Sequence, residues 1–164
     1  MKRVEYITVV EEYASSAELS PEERVLLESA ARVRDQAYAP YSKFNVGAAV
    51  ELEDGTIVLG NNQENVAFPS GLCAERTALF SAGATHPGKA VVRIAISATG
   101  QGFELKEPVY PCGACRQVMS EYERLSGRPM QILMMGKSGA VHKVNGLINI
   151  LPVAFDADNL KFNK

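Results

Sequence analysis

Val91-Val92-Arg93-Ile94-Ala95-Ile96-Ser97-Ala98, then Pro111-Cys112-Gly113-Ala114-Cys115-Arg116-Gln117, then Met130-Gln131-Ile132-Leu133-Met134-Met135 is the run that decides the fold. The first piece is β-branched and alternating, which predicts a strand, largely buried if central. Pro111-Cys112 opens a helix with Val118, Met119, Tyr122 and Leu125 as its apolar face and Gly127 as its stop. The third piece predicts another strand. Toward the N-terminus, residues from Cys73 to Ala82 favour helix, with Gly83 as the stop. Residues 46–52 and 56–60 are apolar runs joined by Glu53-Asp54-Gly55, a hairpin signal. Ser20-Pro21-Glu22-Glu23 combines a capping box with a proline at the first helical position. Behind it Val25, Leu26, Ala30, Val33 and Ala37 fall at helical spacing until Pro40. Residues 3–10, rich in Val, Ile and Thr, predict a first strand. Residues 140–144 predict a last one, followed by a short turn or helix around Leu160. The order β-α-β-β-α-β-α-β-β-α predicts an α/β protein, a sheet with helices packed on it.

The chain has 164 residues, 46% hydrophobic and 22% charged, which suits a single domain over 1–164 with a substantial core. Seventeen Lys plus Arg against nineteen Asp plus Glu give a net charge of −2. That balance offers no electrostatic footprint for a nucleic acid or an anionic membrane. No run approaches the roughly 18 uninterrupted apolar residues of a membrane span. Met1 to Tyr13 carries charges within its apolar part, which argues against a secretory signal and for a cytoplasmic protein. Three cysteines are a poor disulfide framework.

Both cysteine clusters sit at predicted helix starts, where free N–H groups and a partial positive charge favour thiolate. Cys112 and Cys115, three apart, share a helix face. Two such cysteines and a distant third, Cys73, are a common way to hold zinc, and three protein ligands leave a fourth position for water. Glu75 lies beside Cys73. If Cys73 stands at the helix entry, both side chains reach one metal, and the carboxylate can then move protons to and from a zinc-bound water. The residues alone leave alternatives open. Cys-x-x-Cys also serves thioredoxin-like redox chemistry, and a structural zinc module would use His86 or His142 as a fourth ligand, although both read as surface histidines. The pairing of Cys73-Ala74-Glu75 with Pro111-Cys112-Gly113-Ala114-Cys115 at successive helix starts favours catalytic zinc.

That pairing is the signature of zinc deaminases. From Ala39 to Phe155 the chain resembles the free-nucleoside cytidine deaminases of the short, three-cysteine type. The resemblance rests on Tyr41-Ser42-Lys43-Phe44-Asn45-Val46-Gly47-Ala48-Ala49, Gly60-Asn61-Asn62-Gln63-Glu64-Asn65, Cys73-Ala74-Glu75-Arg76-Thr77-Ala78 and the Pro111–Gln117 block. It implies a three-layer α/β/α sandwich around a mixed five-stranded sheet, in a homotetramer with one zinc per subunit. Cys73, Cys112 and Cys115 would bind Zn²⁺, and Glu75 would shuttle protons. Asn62 and Glu64 would bind the ribose, Phe44 would line the base pocket, the Ala74 N–H would hold the base carbonyl, and Phe155 would close over the site. Phe68 stands where relatives often carry Tyr and would reach a neighbouring subunit's pocket. Arg76 would face the cysteine sulfurs and restore Lewis acidity to a site of net charge −1. The implied reaction is hydrolytic deamination of cytidine or deoxycytidine in pyrimidine salvage. Blasticidin-type deaminases share the cysteine blocks, but the Tyr41–Ala49 block and the Asn62/Glu64 pair favour the nucleoside enzyme. Residues 1–20 extend beyond the typical short member and are read as an extension that adds a strand.

Overall fold

The computed structural model describes residues 1–103, 105, 107–156 and 160. Its strands are β1 (Glu11–Tyr13), β2 (Phe44–Leu52), β3 (Ile57–Asn61), β4 (Val91–Gly100), β5 (Gln131–Met135) and β6 (Val141–Asn145). The α-helices are α1 (Pro21–Arg34), α2 (Ala74–Thr85) and α3 (Gly113–Ser126). The strands form one sheet in the order β1-β6-β5-β4-β2-β3. β4 and β5 run parallel, and every other neighbouring pair is antiparallel.

Strand alternation sorts the core into two layers. Ala48 and Val50, Ile94 and Ile96, Ile132 and Met134 face one side, where Ala78, Leu79 and Ala82 of α2 and Cys115 and Met119 of α3 cover them. The residues between them, Ala49, Ala95 and Leu133, face the other side and pack on Leu26, Leu27 and Ala30 of α1. The result is the expected α/β/α sandwich. Two glycines set how closely helices approach. A Cβ on Gly47 would stand 2.1 Å from the Ala30 carbonyl oxygen of α1, and one on Gly60 would stand 2.4 Å from the Ala78 amide of α2. Only glycine lets these helix backbones rest directly on the sheet, and the Gly60 contact seats the first turns of α2.

The capping box of α1 is present: Ser20 Oγ accepts from the Glu23 N–H, and Glu23 Oε2 accepts from the Ser20 N–H. The helix ends at Arg34, before the expected Ala37, because the Tyr38 backbone turns to pair with Asn62 and Glu64. Three further expectations are corrected. Residues 3–10 are not a strand; β1 forms at Glu11–Tyr13. In its register Glu11 lies opposite Lys143, and β6 ends at Asn145 with a turn at Gly146, so the residues before Val9 have no β6 partner. Because β1 joins the edge, the sheet has six strands rather than five. Gly83 does not stop α2, which continues to Thr85. A Cβ there would stand 2.6 Å from the Tyr122 hydroxyl, so this glycine makes room for α3. Gly127, with φ of 65°, does stop α3. The turn expected around Leu160 lies, apart from Leu160 itself, outside the described residues. Among the described residues no helix is long and apolar enough to cross a membrane.

Candidate active site

Cys73 and Cys112 are the N-cap residues of α2 and α3, with extended backbones (φ −68°, ψ 152° and φ −66°, ψ 166°). An N-cap side chain usually accepts from an N–H of the first turn; neither thiol does so. They turn instead toward each other and toward Cys115, one turn into α3 and fully buried. Cys73 Sγ lies 4.0 Å from Cys112 Sγ, which lies 3.5 Å from Cys115 Sγ, and all three sulfurs fall within 4.8 Å of one another. Tetrahedral zinc with thiolates at about 2.3 Å separates its sulfurs by about 3.8 Å. The three thiols therefore fit one zinc ion with a fourth position free. Among the described residues they are also the only group of His, Cys, Asp and Glu side chains gathered in this way. His86 caps the end of α2 and His142 lies on β6, hydrogen-bonded to the Tyr110 hydroxyl at 2.7 Å.

The charges around the sulfurs are arranged to suit a cation. Hydrogen bonds from Cys115 and then Arg76 hold the Cys73 thiol down at about 5, against the opposing effect of burial. Cys115 is pushed up by acting as that donor and by burial. Arg76 Nη2 donates to Cys73 Sγ at 3.5 Å, which raises the guanidinium further, and its Nε is buried without a hydrogen-bond partner. Glu75, two residues into α2, is only 5% exposed. Burial, and then the Cys73 charge, push its carboxyl above the ordinary range. Because Cys73 stands outside the helix proper, Glu75 is free of the rule that helix residues two apart point away from each other. Ala74 is the first residue of α2, so its N–H is one of those a helix leaves without an intrahelical partner.

A cleft of about 530 Å³ opens beside this cluster. Asn62, Glu64, Phe68, Cys73 and Arg76 line it together with Tyr41 and Ser42. Asn62 is buried and clamps the start of β2: its Oδ1 accepts from the Val46 N–H at 2.8 Å and its Nδ2 donates to the Phe44 carbonyl at 2.9 Å. Glu64 accepts from the Tyr41 N–H at 2.9 Å, the Ser42 N–H at 3.2 Å and the Ser42 hydroxyl. The Ser42 hydroxyl is the main cause that holds this carboxyl below its usual value. Phe68 is 74% exposed and meets the Tyr41 ring edge-on at 5.9 Å. Phe44 and Phe155 do not line this cleft. Phe44 stacks on Phe103 at 6.5 Å, and the Phe155 carbonyl accepts from Gln117 Nε2 at 2.8 Å while its ring stays exposed.

Three residues beyond the expected set shape the site. Tyr41 and Ser42 fix Glu64, and Arg116 pins the cysteine loop by donating to the Pro111 carbonyl at 2.8 Å and the Ile150 carbonyl at 2.9 Å. All three stand in sequence blocks that carry the resemblance. Tyr41 and Ser42 meet the Glu64 carboxylate 23 and 22 residues away and Arg116 reaches the Ile150 carbonyl 34 residues away, however, so spacing alone does not reveal the role.

Residues 20–126 match the family model described as the cytidine and deoxycytidylate deaminase zinc-binding region. The chain is 39% identical over 137 residues to the cytidine deaminase of Halalkalibacterium halodurans, covering 84% of this chain and 96% of that protein. It is 40% identical over 140 residues to the cytidine deaminase of Sporosarcina psychrophila, covering 85% and 95%. Among solved structures it is similar to the cytidine deaminase of Burkholderia pseudomallei, with a TM-score of 0.69 and 41% identity over 80% of this chain and 97% of that one. With the thiol cluster, the buried glutamate and these matches together, the chain belongs to the cytidine and deoxycytidylate deaminase family.

Proposed function

We propose that this protein deaminates cytidine and deoxycytidine by hydrolysis, giving the uracil nucleosides and ammonia, in cytoplasmic pyrimidine salvage. The observation that carries this reading is the convergence of three thiols, from two helix starts, next to a buried glutamate, with Cys73 lining a cleft. Cys73, Cys112 and Cys115 would hold one Zn²⁺ per subunit. Bound zinc supplies a Lewis acid that lowers the pKa of water from 15.7 toward about 7 and so makes a nucleophile available at neutral pH.

Glu75 moves the protons. Its carboxylate takes one from the attacking water and delivers it to ring N3, which makes C4 electrophilic. It then takes the second proton of that water from the hydroxyl now on C4 and passes it to the departing amino group, which leaves as ammonia while the oxygen becomes the uracil carbonyl, so one side chain serves both steps. Burial suits the task, because it pushes the carboxyl above its ordinary range and so makes it a better proton acceptor than an exposed glutamate. The Ala74 N–H holds the base carbonyl; Phe44 and Phe155, neither of which lines the cleft in this structure, are assigned to the base by the resemblance alone. Asn62 and Glu64 bind the sugar hydroxyls: Nδ2 carries a second hydrogen beyond the one given to Phe44, and Glu64 Oε1, which accepts from Ser42 alone, keeps a free lone pair. Arg76 draws charge from Cys73 and offsets the third thiolate. Phe68, exposed at the rim, reaches the pocket of a neighbouring subunit in a homotetramer.

The test follows the ultraviolet absorbance of cytidine with the protein as purified, after a zinc chelator, and after zinc is restored. The reading expects conversion to uridine, loss with chelator and recovery with zinc. Metal-independent turnover, or zinc-loaded protein that leaves cytidine unchanged, overturns it.

A further inference from the structure

The sandwich leaves one run of apolar side chains without cover. Before β1, Val4, Tyr6, Ile7, Val9 and Val10 are all exposed, Ile7 by 84%. The segment touches the rest of the chain through a bond from the Val9 N–H to Asn149 Oδ1 at 2.9 Å. Its composition is that of a strand, rich in Val, Ile, Tyr and Thr. β1, which it leads into, is the edge of the sheet, with β6 on one side only. An exposed apolar strand at a sheet edge is a template for pairing with another chain.

We propose that residues 2–12 of this chain pair antiparallel with the same residues of a second copy, across a twofold axis at Ile7. Among the registers shifted by one residue this is the one that keeps two cross-strand charge pairs, although Glu5 falls opposite Val9 and Arg3 also lies 3.9 Å from Glu5 within the arm. Lys2 falls opposite Glu12 and Arg3 opposite Glu11, while Val4 faces Val10 and Ile7 faces itself. A shift of one residue in one direction sets Arg3 against Val10, and a shift in the other sets Val4 against Glu11, so each alternative loses a charge pair. The acidic ends are accessible: the Glu11 and Glu12 side chains are 51% and 71% exposed, although Glu11 also pairs with Lys143 and Glu12 with His142. Opposite charges directly across a strand pair stabilise it, and a twofold interface requires this kind of self-complementarity. The partner arm then lies along the free edge of β1 and continues the sheet of each copy into the other. A specific interface needs on the order of 1,000 Å² of covered surface, to which the two exposed arms and the sheet edges they lie along all contribute. The family match begins at residue 20, so this contact is separate from the matched region and does not rest on the proposed chemistry.

Directly opposed residues of an antiparallel pair bring their Cα atoms within disulfide range. The test is oxidation of the full, zinc-supplied chain carrying Ile7→Cys, with the wild type and Val4→Cys treated alike. We expect Ile7→Cys to become mostly covalent dimer on a non-reducing gel. Val4→Cys, itself 62% exposed before substitution, stays single alone and cross-links when mixed with Val10→Cys. Adding Lys2→Glu and Arg3→Glu to Ile7→Cys lowers the dimer several-fold at low salt. An Ile7→Cys chain that cross-links no better than Val4→Cys, or a dimer yield indifferent to the two charge reversals, overturns the pairing.

Discussion

At the starts of α2 and α3, Cys73 and Cys112 stand at N-cap positions and cap nothing. In the loop after β3, Asn62 and Glu64 stand beside the same cleft with their polar atoms bonded to residues 41–46. In the first region the Cys73 and Cys112 thiols cap no helix, and Cys115, although packed in the core, turns its sulfur toward them. The second region is structural and chemical at once, because the groups proposed to meet the sugar also fix the entry to β2. Substitutions at the two ends should therefore separate cleanly in what they damage.

The largest separation is expected at Cys112. Serine is a better N-cap than cysteine, so Cys112→Ser should leave the melting temperature of the metal-free protein unchanged or slightly higher. Its zinc affinity, measured against a chromophoric chelator, should fall by more than about 100-fold, beyond the 10–100-fold typical of losing an outer partner. Arg76→Ala tests that outer effect itself. We expect zinc affinity to drop by roughly 10–100-fold with little change in unfolding; an unchanged metal content and an unchanged pH–rate profile would remove Arg76 from the metal's support. Asn62→Ala should do the reverse of Cys112→Ser. Two bonds to backbone groups disappear at a buried position, so stability falls by about 1–3 kcal/mol in denaturant titration while zinc affinity holds. The smallest effect is a pH dependence at Glu64. Its carboxyl is held below the ordinary value of 4.5, chiefly by Ser42. A depressed carboxyl lends stability that is present above that range and lost as pH falls through the native value. The melting-temperature gap between wild type and Glu64→Gln should thus be widest above pH 5 and close on acidification. A gap that widens at low pH would contradict the assigned bonding.

The same contrast explains what the sequence alone revealed. The cysteines and Glu75 were legible because thiols at helix starts have few other uses, and Ser20-Pro21-Glu22-Glu23 announced α1 through bonds made within four residues. Asn62 and Glu64 came from the resemblance only, since their structural partners lie 16 to 23 residues away. Gly83 read as a helix stop because its actual partner, Tyr122, belongs to another helix. Residues 3–10 carry strand composition, but β6 ends before it could pair with most of them. Local signals were readable, whereas a signal fixed by a distant neighbour, or by a second copy, was not.

The most direct test of the account is Glu75→Gln, assayed for cytidine conversion with its zinc content measured in the same preparation. The substitution keeps the side chain's shape and removes its ability to carry a proton. The account predicts zinc equal to wild type and turnover reduced by at least about 100-fold, within the range that a positioned acid–base group contributes. Turnover near the wild-type rate in zinc-loaded Glu75→Gln would contradict it.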